Sequence, residues 1–404
     1  MKAYECEHPT KAVCWQDKLF LRYMQGLSNQ LQGQLRLQLP SGFRCNLGNQ
    51  SEPIATLKLH SWSALKSLFF GNITGWAQAY IKQQWDSSDL TALINWAIAN
   101  ESILDNMTRG SWINTLLDNL YHLRRDNSRT GSRENIAAHY DLGNDFYAPW
   151  LDSTMSYSAA MFQHPNEDLA QAQHNKYQRI LELLNAQAND HILEIGCGWG
   201  GFAEQASCEN ALRIHGVTLS TEQLSWAKQR ITNAGKQDEV HLSLTDYRDL
   251  NIQYDGIVSI EMFEAVGEKH WDEYFQVLRK SLKPGGKAVL QVITIDDQRF
   301  HTYRKQADFI QRYIFPGGML PSREALHNKF AEQGFQLQHE EFFGLDYART
   351  LNIWRQNFEQ QWPAISQHGF DEDFRRLWRY YLTYCEGGFI SGSIDVGLFV
   401  ITPE

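Results

Sequence analysis

The sequence contains no apolar run of the roughly 18 to 20 residues that a membrane-spanning helix needs. Its longest uncharged early stretch, Ser67 to Ile81, is interrupted by Asn72, Thr74 and Gln78. The opening Met1-Lys2-Ala3-Tyr4-Glu5-Cys6 carries charge where a signal peptide has its apolar segment, so no leader is expected. Cysteine is sparse: six residues, at 6, 14, 45, 197, 208 and 385, with no CxxC spacing and no paired histidines. Neither a metal site nor a disulfide framework is expected from that pattern, and reduced thiols in the cytoplasm are the simplest reading. Positive charge is also short. Lys and Arg number 37 against 47 Asp and Glu, a net charge of −10. Nucleic acid is therefore excluded as a general partner, because phosphate binding needs a positive field.

Aromatic residues, by contrast, are plentiful: Trp 13, Tyr 17 and Phe 21. Such a surplus suits an apolar or cationic ligand, or simply a large core. Apolar and charged usage is otherwise that of globular proteins, and 404 residues suggest two or three domains.

Two textures divide the chain. Residues 1–123 mix helical and strand patterns and predict a smaller α+β domain. Leu31 to Leu39 alternates with period two and Pro40-Ser41-Gly42 then turns the chain; Thr56 to His60 is a second short strand. Leu90 to Ile103 has helical spacing behind Ser87-Ser88-Asp89, an N-cap signal. Residues 124–133 form a basic linker with Arg124, Arg125, Arg129 and Arg133 against one aspartate. It reads as a solvated connector, with contact to anionic lipid headgroups as the functional alternative. Residues 134–404 form the larger domain.

In that domain short apolar strands alternate with helices. Strands are predicted at 192–195, 214–217, 240–244, 256–260 and 287–293, the last after a Pro284-Gly285-Gly286 turn. Helices are predicted at 201–208, 221–234 and 270–282. The fold class is α/β, a doubly wound, mostly parallel, Rossmann-like sheet, with ligands at the carboxyl ends of the strands.

The most informative segment is Leu193-Glu194-Ile195-Gly196-Cys197-Gly198-Trp199-Gly200-Gly201. It is strand, glycine-rich turn and helix start. Gly196, Gly198 and Gly201 also satisfy the dinucleotide fingerprint, so NAD must be weighed. The next strand, however, ends Gly216-Val217-Thr218-Leu219-Ser220, with no acid to hold a ribose diol. Glu194 before the turn and Tyr247-Arg248 past the third strand suit S-adenosylmethionine (SAM) better.

Further ordered motifs are His139 to Tyr147, Met155-Ser156-Tyr157-Ser158, Gly216 to Gln223, Asp246 to Leu250, Met262-Phe263-Glu264, Tyr313 to Gly318 and Asp346-Tyr347. With the glycine-rich loop they resemble the cyclopropane-fatty-acyl-phospholipid synthase and mycolic acid methyltransferase family, over about residues 134–404. The resemblance implies a class I SAM-dependent methyltransferase. It implies that SAM is held by Tyr157 and Ser158, by Glu194, Gly196, Cys197, Gly198, Trp199 and Gly200, by Thr218, Leu219 and Gln223, by Tyr247 and Arg248, and near Ile260. The implied reaction is C-methylation of the double bond in unsaturated phospholipid acyl chains, with cyclopropane as the family default. Methyl-branched, methylene-bearing or furan-precursor products are the alternatives, and a non-catalytic lipid-binding scaffold is the reading from another class. The implied place is cytoplasmic, peripheral at the inner membrane surface, and the N-terminal region is a candidate for lipid contact or a homodimer interface.

In this family a bound bicarbonate takes the proton lost after methyl transfer. Glu264 and Tyr347 match two side chains that hold it and are the candidate catalytic residues. Two other positions depart: Ala159 stands where the synthases have cysteine, and Gln291 where they have histidine. Bicarbonate is therefore expected to bind weakly or not at all. Glu261, where the family has a small residue, is assigned no role. Residues 299–320 interleave Phe300, Tyr303, Phe309, Ile310, Tyr313 and Ile314 with Arg299, Arg304, Lys305 and Arg312. They predict either a membrane-facing amphipathic segment or a helix packed on the sheet with a charged outer face.

Overall fold

The computed structural model describes residues 14–49, 51–108, 142–305 and 308–404. The basic stretch at 124–133, both expected domain boundaries and His139 to Asp141 lie outside them. The chain divides into two compact units.

The first unit combines the N-terminal region with Phe370–Ser391. Its sheet has the order β2-β1-β3-β4, from β1 (Gln34–Gln38), β2 (Arg44–Gly48), β3 (Ile54–Leu59) and β4 (Trp85–Asp86). Alternation in the sequence is realised as burial: Leu35 and Leu37 point inward while Arg36 between them is exposed. Asp89 caps the helix Leu90–Ala99 by accepting from the Ala92 N–H at 2.9 Å. The strand β2 has no expected counterpart.

Residues 134–404 are not one continuous domain. The helix Glu372–Ile390 packs with the helices Ser63–Ile81 and Leu90–Ala99 of the first unit. Arg376, 5% exposed, donates to the carbonyls of Tyr80 at 2.7 Å and Trp85 at 3.1 Å. Gly387 lets the helices approach: a Cβ there would lie 2.6 Å from Ile94 Cγ2.

The second unit holds a seven-stranded sheet of order β10-β11-β9-β8-β5-β6-β7. Its strands are β5 (His191–Ile195), β6 (Arg213–Thr218), β7 (Val240–Leu244), β8 (Tyr254–Ile260), β9 (Leu282–Ile295), β10 (Phe335–Phe342) and β11 (Ile394–Pro403). The five from β9 to β7 are parallel; β11 runs antiparallel to both β9 and β10. The sheet is thus doubly wound and mostly parallel, as expected. The Pro284-Gly285-Gly286 turn sits inside the span of β9, where the register with β8 jumps from Tyr254↔Leu282 to Gly256↔Lys287.

Helices cover the sheet with apolar stripes. Trp271–Ser281 buries Trp271, Tyr274, Phe275 and Leu278, at i, i+3, i+4 and i+7, against Ile257, Leu290 and Phe330. Each such large side chain contributes about 1.5–3 kcal/mol by leaving water. The helix Leu169–Leu184 is capped by Asp168, which accepts from the Gln171 N–H at 2.8 Å, and its buried face includes two polar residues, Gln173 and Lys176.

Parts of the stretch 299–320 are packed inward. Phe300, Phe309 and Ile314 are buried, and Arg304 turns outward to pair with Glu268. The segment forms two short helices, Asp297–Tyr303 and Phe309–Tyr313, in which Phe300 and Phe309 are buried while Tyr303, Ile310 and Tyr313 are half-buried. No helix among the described residues is long and apolar enough to cross a membrane.

Candidate active site

Strand order changes direction at β5, with β8 on one side and β6 on the other. The crevice beyond the carboxyl ends of these strands is where a doubly wound sheet binds ligands. The glycine-rich turn follows β5 directly. Gly196, Gly198 and Gly200 have φ of +82°, +52° and +82°, the left-handed region that glycine enters without strain. The N–H groups of Gly196 and Cys197 both donate to the Val217 carbonyl, at 2.9 and 3.0 Å, which ties the turn to β6.

A pocket opens above this turn. Tyr157 and Ser158 form one wall, Glu194, Gly196, Cys197, Gly198 and Trp199 the floor, and Thr218, Leu219 and Gln223 a second wall. Tyr247, Arg248 and Ile260 close the far side. Thirteen of the fourteen residues expected around SAM therefore line one cavity. Gly200 does not; it starts the helix Gly201–Asn210, and a Cβ on it would meet Ala227 at 3.0 Å. Gln223, which looks like a solvent-facing helix residue, is 5% exposed and accepts from the Thr218 hydroxyl at 3.0 Å. The Arg248 guanidinium is turned to Asp246, at 2.9 and 2.7 Å.

SAM fits these residues on two observations. A Cβ at Gly198 would meet no atom within 4 Å beyond its chain neighbours, so the turn leaves open space in the pocket where a ligand can approach the backbone. Glu194 is 3% exposed and its Oε2 has no hydrogen-bond partner among the described residues, a buried acceptor suited to an ammonium group. Burial raises the Glu194 carboxyl to about 8, and Lys176 opposes that rise.

Lys176 itself escaped the sequence reasoning. It is fully buried and its Nζ donates to Ser158 Oγ at 2.6 Å, while Gln173 Nε2 donates to the Ser158 carbonyl at 2.8 Å. Burial lowers the lysine to about 8, against the attraction of Glu261, Asp152 and Glu194. Its signal was present: a lysine falling on the apolar stripe of an amphipathic helix.

The expected anion site is arranged differently from the expectation. Neither Glu264 nor Tyr347 forms part of the pocket wall; Glu261 does. Glu261 Oε1 accepts from the Ala159 N–H at 2.8 Å and from Gln291 Nε2 at 2.6 Å. Its Oε2 accepts from the Tyr347 hydroxyl at 2.6 Å. Three of the four positions expected to surround an external anion, Ala159, Gln291 and Tyr347, thus surround a side-chain carboxylate of the protein. Glu261, assigned no role from the sequence, is thus the shared partner of these three positions. Burial pushes the Glu261 carboxyl upward, and Tyr347, the Ala159 N–H, Lys176 and Gln291 pull it back.

Glu264 stands behind it. Its Oε1 accepts from the Ile293 N–H at 2.6 Å, and its Oε2 is buried without a hydrogen-bond partner among the described residues. Burial first, and the charge of Glu261 second, raise the Glu264 carboxyl to about 8. Two carboxyl groups, those of Glu194 and Glu261, therefore line the pocket, with Glu264 and Lys176 outside its wall.

Aromatic rings flank the same wall. Tyr157 lies 5.2 Å from Trp354, 5.4 Å from Tyr147 and 5.7 Å from Trp150, centroid to centroid, and Tyr347 lies 6.1 Å from Trp354. No cluster of metal-ligating residues occurs among the described residues.

Residues 127–399 match the family described as mycolic acid cyclopropane synthetase. The tuberculostearic acid methyltransferase UfaA1 of Mycobacterium tuberculosis is 39% identical over 341 residues, 82% of this chain and 79% of that protein. The cyclopropane-fatty-acyl-phospholipid synthase of Escherichia coli is 39% identical over 258 residues, 64% of this chain and 65% of that protein. Among solved structures, the mycolic acid cyclopropane synthase CmaA1 with S-adenosylhomocysteine (SAH) and CTAB has a TM-score of 0.63 at 29% identity, over 67% of this chain and 97% of that one. The glycine-rich turn, the pocket above it and these similarities agree: the chain belongs to the mycolic acid cyclopropane synthetase family and is a SAM-dependent methyltransferase.

Proposed function

We propose that this enzyme methylates the carbon–carbon double bond of unsaturated acyl chains carried by phospholipids, working at the cytoplasmic surface of the membrane. The observation that carries this reading is the pocket wall, where the ring of Tyr157 and the carboxylate of Glu261 stand together. When bound, SAM supplies an electrophilic methyl group on a sulfonium. An isolated alkene has no proton to remove beforehand, so the protein's task is to position it, exclude water and stabilise a developing cation. The face of Tyr157, which lines the pocket and is backed by the buried rings of Tyr147 and Trp354, suits a cation and does not trap it as water would. Tyr157 and Ser158, the turn from Glu194 to Trp199, Thr218, Leu219, Gln223, Tyr247, Arg248 and Ile260 are assigned to holding SAM. Tyr347 and Glu264 are assigned to proton handling from behind the wall, through Glu261.

Loss of a proton from the added methyl carbon closes a cyclopropane ring, the family default. A hydride shift before that loss gives a methylene-bearing chain instead. An outcome without ring closure is favoured by the similarity to a protein named as a tuberculostearic acid methyltransferase, which extends over 82% of this chain. A row of exposed residues at i, i+4 and i+8 on the helix Trp15–Ser28 supports lipid contact: Trp15, Leu19 and Tyr23 are 71%, 64% and 49% exposed.

The test is lipid mass spectrometry on cells expressing the chain, followed by NMR of the modified acyl groups. A gain of one CH2 per unsaturated chain is expected. Ring-proton signals identify cyclopropane and vinylidene signals identify the methylene product. Lipids of unchanged mass, with methyl transfer to a water-soluble amine or alcohol, would replace this reading.

A further inference from the structure

We infer that the Glu261 carboxylate is a built-in proton acceptor, occupying the place of an external anion, so that the enzyme works without bicarbonate. The inference rests on methyl transfer to an alkene as proposed above.

Geometry carries the argument. A carboxylate offers about four lone-pair directions. Three are taken, by Ala159 N–H, Gln291 Nε2 and the Tyr347 hydroxyl, at 2.8, 2.6 and 2.6 Å. These donors come from three separate parts of the fold, 102, 30 and 86 residues away from Glu261 in the chain. One acceptor direction is left, on a side chain that lines the pocket. Bicarbonate does not fit the same place, because the donors that would hold it are engaged and a second anion would face the carboxylate directly.

The changes are mutually consistent. Histidine at 291 could donate to an anion as a cation; Gln291 donates as a neutral amide, which suits a carboxylate already attracted by the charge of Lys176. The backbone also yields to this arrangement. Glu261 has φ +49°, a conformation that costs a non-glycine residue about 1–2 kcal/mol and is held here by the three hydrogen bonds to its side chain.

The alkene π pair forms the new bond to the methyl carbon, and the S–CH3 pair stays on sulfur. A C–H bond of the added methyl group then breaks. Its proton goes to Glu261, and its electron pair closes the ring, or forms the C=CH2 bond after a hydride shift. Glu261 becomes a neutral acid and returns the proton to water when the pocket opens.

Two variants and two readouts test this. Glu261→Gln keeps the side chain but cannot take the proton. Glu261→Gly empties the place and suits φ +49°. Calorimetry with SAH should give near-wild-type affinity for both, which also verifies folding. In 13C NMR with labelled bicarbonate and SAH present, wild type should show no binding and Glu261→Gly should show it. In CO2-depleted buffer, wild type should keep its rate on unsaturated phospholipid vesicles. Glu261→Gln should lose about 100-fold or more. Glu261→Gly should be equally slow and should recover at least roughly tenfold on adding bicarbonate, more so when combined with Gln291→His.

Bicarbonate binding to wild type, a bicarbonate-dependent wild-type rate, or near-normal turnover of Glu261→Gln would each overturn the inference. Wild type that transfers no methyl group to unsaturated lipid would instead overturn the proposed function, and the NMR measurement would still decide whether Glu261 holds the anion's place.

Discussion

Tyr347 donates its hydroxyl to Glu261 at 2.6 Å, joining the start of the helix Gly344–Ile365 to the end of β8 across 86 residues of chain. The bond makes the phenol part of a carboxylate site and explains why a tyrosine outside the pocket wall bears on the chemistry inside it. Tyr347→Phe removes one of three donors to Glu261. A hydrogen bond to a charged group is worth about 1.5–3 kcal/mol, or roughly ten- to hundredfold in rate if it acts in the transition state. Turnover should fall by that factor while SAH affinity, read by calorimetry, stays constant. Unchanged turnover would make the bond structural only.

Glu264 gives a test in pH. Its carboxyl is raised from the ordinary 4.5 to about 8 by burial, with Glu261 adding to the rise. Between those values the folded protein holds a proton that the unfolded chain has released. The group's stabilising contribution is therefore complete below the unfolded value and is lost as pH rises through about 8. Glu264→Gln keeps an oxygen for the Ile293 N–H and has no proton to lose. The Tm of the variant relative to wild type should be higher at about pH 8.5 than at about pH 5. A difference independent of pH would show that Glu264 titrates normally.

Gly198 separates folding from cofactor binding. Its φ is +52° and no atom beyond its chain neighbours lies within 4 Å of where a Cβ would stand, so Gly198→Ala costs only about 1–2 kcal/mol of stability. The added methyl group stands in the space assigned to SAM. Affinity for SAH should therefore drop roughly tenfold or more, the equivalent of about 1.4 kcal/mol of steric conflict. Equal affinity in calorimetry would place the ligand elsewhere in the pocket.

Lipid contact through the first helix is tested by Trp15→Ser, Leu19→Ser and Tyr23→Ser together. These side chains are exposed, so the folded state should lose little stability. Sedimentation with phospholipid vesicles should show weaker binding, and unchanged binding would remove this helix from the lipid surface.

Much of the fold was legible because each element carries its own period. The strand at 240–244 and the helices at 201–208, 221–234 and 270–282 were read to within one or two residues, since alternation and 3.6-residue spacing are local properties. The glycine-rich turn was legible too, because only glycine suits successive left-handed positions beside a ligand. Periodicity could not tell whether the aromatic residues of 299–320 met lipid or core, since both produce the same stripe. Nor could it show that Glu372–Ile390 returns to the first unit.

The parallel sheet, the SAM turn and the unusual residues Glu261, Ala159 and Gln291 can all be read from the chain, but their mutual contacts arise only on folding. Ala159 precedes the sheet, Glu261 directly follows β8 and Gln291 lies in β9, and they meet because β8 and β9 are adjacent and Ser158 is pinned by the buried Lys176. A hydrogen bond depends on distance and direction between atoms, and strand order sets both for residues far apart in the chain.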